Sequence, residues 1–460
     1  MSPAGTSSSK ATAAKYGSWP RRYLPKPTRP KLSVVSSLLP PHNPPHTPPP
    51  FIKFALMSST WELPHEASLA VCANFHVGPE TLLDELKKLA RLHLAGLPDA
   101  VAFYAGRIVE GLASAALQIH HLYAGSTVIE SLDTLALSGK VSDGALLCGH
   151  AIRRLANEAR HLERSVLVDE EATIVALLQL WVEWFVSACG ASTASQSFSW
   201  NDWSSRTPML RTLAAGSQPE MVALSTHEDQ LQPLLADSAT AAFVAERLVD
   251  CNAATADRFT RAAKDRFPHN RRITQIRALH FSRAQNPEQA IRLLLPLRNG
   301  NPRRLDIETI GILGGAYKTR WLQSRISAHL KCAYDTYTLP VADAPRSHYL
   351  QINIAATALW MDKAALARSH AQAAIDLLAE QKITSDEALE GTVNYWMVAT
   401  LAEAQLLVGN DWLASVLYAK ASATDNPTGP WARTAAQLRV HLEFLPKTRY
   451  WETMHALVSR

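Results

Sequence analysis

Cysteine is scarce and widely spread. The five thiols stand at 72, 148, 189, 251 and 332, and no two are closer than 41 residues. That spacing excludes CxxC redox pairs and zinc knuckles. An odd, scattered set fits reduced, buried thiols in a cytoplasmic protein better than a disulfide framework. Catalytic fingerprints are missing too: the chain holds no HExxH, Walker A, GxGxxG or GxSxG string. Neither a metal site nor a cofactor is therefore expected. Glycine is low, at 19 of 460 residues, and alternating β-branched runs are absent, which leaves helix as the default element.

Acidic residues are absent from residues 1–56, which hold eight Lys/Arg and 12 of the 27 prolines. The segment is +8 in a chain of net +5, so the remainder, with 38 basic and 41 acidic residues, is −3. The basic overall balance therefore gives no support for nucleic-acid binding by the folded part. Proline-rich chain of this kind reads as a disordered, extended tail. Two origins stay open: a genuine basic tail, or translation starting at Met57, where ordinary charge balance begins. The apolar run at 32–39 is too short for a signal-peptide core with ordinary flanks.

One segment, 172–190 (ATIVALLQLWVEWFVSACG), has membrane-like composition. Gln179 and Glu183 are four apart and share a face, so the expectation is a buried core helix and no membrane partner. Around it, residues 64–190 read as a bundle of about five helices. Pro79 and Pro98 suit first-turn positions, Ser142-Asp143 caps a long helix, and Asp169, Glu170 and Glu171 put acid where the helix dipole favours it. Residues 191–239 read as a linker with a connecting helix.

From 240 to 460 the chain becomes helix pairs. ITQIRALHFSRA precedes PEQAIRLLLPLR; IETIGILGGAYKTRW precedes ISAHLKCAYDTYTL; SHYLQINIAATALWM precedes KAALARSHAQAAIDLLA; GTVNYWMVATLAEAQLLV precedes DWLASVLYAKASAT. A period in the mid-thirties to forties, with small residues where helices must approach, predicts tetratricopeptide-like stacking. The expected fold is all-α: a helical bundle followed by an irregular tetratricopeptide-like α-solenoid.

The helix over 145–162, ALLCGHAIRRLANEARHL, carries the most information. Ile152, Leu155, Ala156, Ala159 and Leu162 cluster on one side, and Arg153, Asn157 and His161, at i, i+4 and i+8, stripe nearly the opposite one. By spacing alone the stripe is a solvated face or a site. The string from Ile152 to His161 resembles the IRxxGNxxxH signature of a bacterial branch of the HEPN superfamily of all-helical domains, with Ala156 where the pattern often has Gly. The preceding Leu97-Pro98-Asp99 and Arg107-Ile-Val-Glu110, and LLQLWVEWF after it, extend the resemblance over about 85–188. Many HEPN domains are metal-independent ribonucleases with an Arg-x(4–6)-His motif. The resemblance therefore implies a site of Arg153 or Arg154, Asn157 and His161. His161 would move protons, an arginine would stabilise phosphorane charge, and Asn157 would orient the phosphate or the imidazole. Arg154 fits the spacing and Arg153 fits the branch pattern, so either could act. Such sites usually form at a homodimer interface, and RNA or a nucleotide is the implied ligand.

A second resemblance covers about 240–445. Asp306-Ile-Glu308-Thr309-Ile-Gly311-Ile-Leu313-Gly314-Gly-Ala-Tyr317-Lys318-Thr-Arg320-Trp321, followed by Tyr349-Leu-Gln-Ile352-Asn353, is similar to the tetratricopeptide-like (TPR-S-type) region of bacterial conflict-system proteins. It is also similar to the TRAFs-binding region of animal stress-activated MAP-kinase kinase kinases. Glu308, Tyr317, Lys318, Arg320 and Asn353 are then candidates for binding a partner or ligand, or for packing and capping the repeats.

Two smaller features complete the reading. His120 and His121 are adjacent and so point to different faces, which is no metal pair. Residues 258–304 hold twelve Lys/Arg and two acids, Asp265 and Glu288, a local excess that suits a phosphate-rich ligand or a solvated convex face. Two functions follow. In one, the repeats bind a protein partner and the bundle senses a ligand or dimerises, in a bacterial defence or stress-signalling pathway. In the other, the same architecture is a regulated metal-independent ribonuclease.

Overall fold

The computed structural model describes residues 79–459 apart from 123–126, 162–163, 190–201, 216–232, 250–252, 301–304, 340–345, 392, 394 and 424–429. The proline-rich tail, Met57, Cys72, Cys251 and Leu162 lie outside the described residues, as do the expectations attached to them. Every regular element among the described residues is an α-helix, nineteen in all.

The first five are α1 (Pro79–Leu94), α2 (Pro98–Ile119), α3 (Val128–Leu137), α4 (Asp143–Arg160) and α5 (Val168–Cys189). They form a bundle in which α2 packs on the other four. The Ser142 hydroxyl caps α4 by accepting from the Ala145 N–H at 3.3 Å. By length and composition α2 and α5 are both apolar enough to cross a membrane, but 56% and 72% of their apolar windows are buried within the protein. Those faces are spent on the core, where Val109, Leu112, Trp181 and Phe185 are nearly inaccessible. Ala156 of α4 packs on Gly106 of α2. A Cβ on Gly106 would stand 2.5 Å from that of Ala156. The crossing needs one position without a side chain, and α2 supplies it.

Part of the expected linker is core. Helix α6 (Thr207–Ala215) packs on α4 and α5. Trp203 is buried, its backbone N–H donates to Gln179 Oε1 at 2.7 Å, and Arg211 pairs with Glu183 at 2.8 Å. The polar pair on α5 is thus the seat of this segment.

The repeats begin with α7 (Ser238–Leu248) and α8 (Ala253–Arg266). The four anticipated pairs follow. They are α9 (Arg271–Arg283) with α10 (Pro287–Asn299), α11 (Ile307–Ser324) with α12 (Ser327–Tyr337), α13 (His348–Trp360) with α14 (Ala364–Glu380), and α16 (Tyr395–Val408) with α17 (Asp411–Ala423). The short α15 (Ser385–Glu390) precedes the last pair, and α18 (Pro430–Phe444) and α19 (Trp451–Val458) end the chain. The apolar core is continuous from Leu86 in α1 to Phe243, Phe259 and Ile276, so the bundle and the first repeats share one interior. Helix α18 does not simply stack as the next layer. Its Gln437 and His441 reach Lys318 on α11, Trp360 on α13 and Glu403 on α16. Of the cysteines described, Cys148 is buried as expected and Cys332 is exposed.

The glycines of the α11 signature have a steric reason. A Cβ at Gly314 would lie 2.5 Å from the buried Tyr337 ring, and one at Gly311 would lie 3.0 Å from the Tyr349 ring. Gly315 is different: only the Tyr337 hydroxyl comes near, at 3.8 Å. Gly314→Ala should therefore cost about 1–3 kcal/mol through overpacking. Gly315→Ala should gain up to about 1 kcal/mol from helix propensity. Urea denaturation of the two variants checks both signs, and equal effects would contradict the packing account.

Candidate functional site

Residues from both sequence signatures meet in a cleft of about 360 Å³ between the bundle and the repeats. Helix α4 contributes His150, Arg153 and Arg154, because a three- and four-residue spacing puts them on one face. Helix α11 contributes Glu308 and Gly311 from its first turns, and the start of α13 contributes His348 and Tyr349. Tyr349 is 42% exposed and lies against Gly311.

A chain of charges borders this cleft. Arg154 Nη2 lies 2.9 Å from Glu246 Oε2 on α7, Arg272 on α9 closes on the same carboxylate, and Arg272 Nη1 lies 3.1 Å from Glu308 Oε2 on α11. Burial would push the Glu246 carboxyl up, but the two guanidinium groups prevail and hold it at about 2. Burial lowers Arg154 to about 10 despite Glu246. The attraction of Glu246 and Glu308 outweighs burial at Arg272 and raises it. Burial, with the charges of Arg153 and Arg154 added, holds His150 well below the ordinary imidazole value, and burial brings His348 to about 4. At neutral pH both rings are uncharged, so each offers one donor and one acceptor.

The Arg–Asn–His stripe divides. Arg153 and Arg154 face the cleft, whereas Asn157 is half-buried and His161 is exposed at the C-cap of α4, and neither lines it. Arg107 reaches Glu85 at 3.6 Å and the Tyr104 ring rather than the signature helix. His150, Glu246, Arg272 and His348 were not singled out from the sequence. Only His150 left a local trace there, in its spacing to the two arginines.

The repeat residues divide as well. Glu308 lies at the cleft. Tyr317 is core, and Arg320 pairs with Glu288 of the preceding repeat at 2.5 Å. Lys318 donates to Asn353 Oδ1 at 3.0 Å and Gln437 Oε1 at 2.8 Å, deep between α11, α13 and α18. The basic stretch 258–304 is not a bare cationic face. Arg261 and Arg277 pair with Asp257, Arg271 with Asp306, and Arg272 with Glu246 and Glu308, all acids lying just outside that stretch.

The tetratricopeptide repeats-sensor family model matches residues 252–359. A search of curated proteins returns no match. Among solved structures, a thermophilic tetratricopeptide-repeat protein of Thermus thermophilus aligns with 17% identity over 44% of this chain and all of its own, with a TM-score of 0.34.

Glu246→Gln should be strongly destabilising at pH 7, by about 3–5 kcal/mol, because it leaves two guanidinium groups against a neutral amide. The carboxyl falls from an ordinary 4.5 to about 2. Its contribution is therefore fully present above pH 4.5 and lost as pH falls toward 2, on the order of 3 kcal/mol across that window. Denaturant titrations from pH 7 to pH 2 should show the parent converging on the variant. A constant gap across that range would contradict the assignment.

Proposed function

We propose that this chain is a cytoplasmic sensor-adaptor of a bacterial defence or stress-signalling pathway. Its repeats bind a protein partner, and its HEPN-like bundle reads a nucleotide or RNA end at the cleft. The observation that carries this is the meeting of Arg153 and Arg154 with Glu308, Gly311 and Tyr349 around one cavity. Arg153 suits a phosphate. The uncharged His150 and His348 suit the mixed donors and acceptors of a base, and the Tyr349 ring suits its face. Because α3 and α4 of the bundle and α7, α11 and α13 of the repeats all line the cleft, a ligand there touches the joint between the sensing and partner-binding parts.

A regulated metal-independent ribonuclease is the second reading, favoured by the exposure of His161 beside Asn157. Eight residues of helix place His161 about 12 Å along the axis from Arg153. Cleavage would then draw the arginine and the imidazole from two copies, with the signature helices facing across a homodimer axis.

Thermal-shift and tryptophan-fluorescence titrations against mono- and oligonucleotides test the first reading. Binding is expected, and Arg153→Ala should weaken it by about 10–100-fold. No response to any nucleotide, from protein that still holds its partner, removes the ligand claim. In the same samples RNA should survive in EDTA. Cleavage that falls by about 10²–10⁴-fold in His161→Ala would install the enzyme in its place.

A further inference from the structure

A second cleft, of about 620 Å³, lies among α9, α11, α13 and α18, away from the one discussed above. Arg283, Lys318 and Arg433 line it and, among the described residues, no carboxylate does. The Trp360 indole forms part of its wall, and Gly315 faces it without a side chain. Helix α18 crosses this side of the repeats and bounds the cavity, which is then sized for a small molecule rather than an extended chain.

The ammonium of Lys318 is the centre of the site. Its two hydrogen-bond partners, Asn353 Oδ1 and Gln437 Oε1, are neutral amide oxygens, and its other close neighbours are the Trp360 and Tyr337 rings at 5.2 and 6.0 Å. The nearest acid in the network, Glu403, is one residue removed. Its Oε1 accepts from Gln437 Nε2 at 2.6 Å and from His441 Nε2 at 2.9 Å. The Trp360 N–H, which can only donate, binds His441 Nδ1 at 3.1 Å. This fixes His441 as the neutral tautomer whose proton points at Glu403. Among the described residues no carboxylate is therefore in direct contact with Lys318. An ammonium has three donors, and two are taken.

We propose that this cleft binds a small organic anion, with its carboxylate or phosphate group on the remaining Lys318 donor and its far end between Arg283 and Arg433. The cleft supplies what a free oxyanion lacks in water: a preset cation, flanking guanidinium groups and an aromatic wall. Burial holds the Lys318 amine down to about 8, which makes anion binding pH-dependent in a measurable range. The site is independent of the nucleotide reading, so either can fail alone.

Isothermal titration of the full chain with citrate and with inorganic phosphate, at low ionic strength, tests it. Trp360 fluorescence provides a parallel readout. At least one anion should bind, and affinity should fall as pH rises through about 8, by about tenfold per unit well above it. Lys318→Met should weaken binding by about 10–100-fold. That variant alters the buried network, so Gly315→Met is the decisive one: it fills the cleft from a helix position with open space and should abolish binding while denaturant stability is kept. Arg433→Gln, at an exposed position, should lower affinity several-fold and reduce its salt dependence. Absence of binding to both anions overturns the proposal, as does binding that survives Gly315→Met in folded protein.

Discussion

Glu246 is the single carboxylate of the first repeat helix, and two arginines from distant parts of the chain close on it. Arg154 comes from the bundle 92 residues earlier and Arg272 from the next repeat 26 residues later. None of the three side chains is more than about a fifth exposed. Charges so placed are costly unless all are paired, so the cluster permits few arrangements of α4 against α7, α9 and α11. The cleft beside it takes its shape from that constraint. A second polar seam acts nearby: Asp237 caps α7, accepts from Thr173 at 3.0 Å, and is closed by Arg206 from the segment before α6.

The two clefts divide the chemistry. The one between bundle and repeats is rimmed by acids and bases in near balance and holds two uncharged imidazoles. The one inside the repeats is lined by cations and, among the described residues, by no acid. Gln437, which α18 brings to the second, stands between Lys318 and Glu403, and His441 of the same helix donates to that carboxylate from outside the cleft. In this way the helix that departs from the stacking pattern also keeps one positive charge available.

Much of the fold was legible because its signals are local. Pro79, Pro98 and Ser142 marked helix starts that the structure reproduces, and the four repeat pairs fall where the Ala-rich strings put them. Small residues in the repeat strings pointed to close helix approaches, and at Gly311 and Gly314 two tyrosine rings are the reason. The electrostatics were not legible in the same way. The excess of arginine at 258–304 takes no account of Asp257, Asp306, Glu246 and Glu308, which lie outside that window and pair with four of its arginines. Gln437 reaches Lys318 over 119 residues, a separation no spacing rule addresses. Of the candidate stripe, Arg153 and Asn157 lie on α4 and His161 is its C-cap. Which half of it turns to the cleft was decided by partners on α7 and α11 that leave no pattern near 153–161.

The central claim is that bundle and repeats are one cooperative body held at Glu246. Differential scanning calorimetry of the full chain tests it most directly. The account predicts one transition in the parent, with calorimetric and van't Hoff enthalpies in agreement, and a split into two when Glu246→Gln removes the clamp. Two separate transitions in the parent, one unaffected by that substitution, would contradict it.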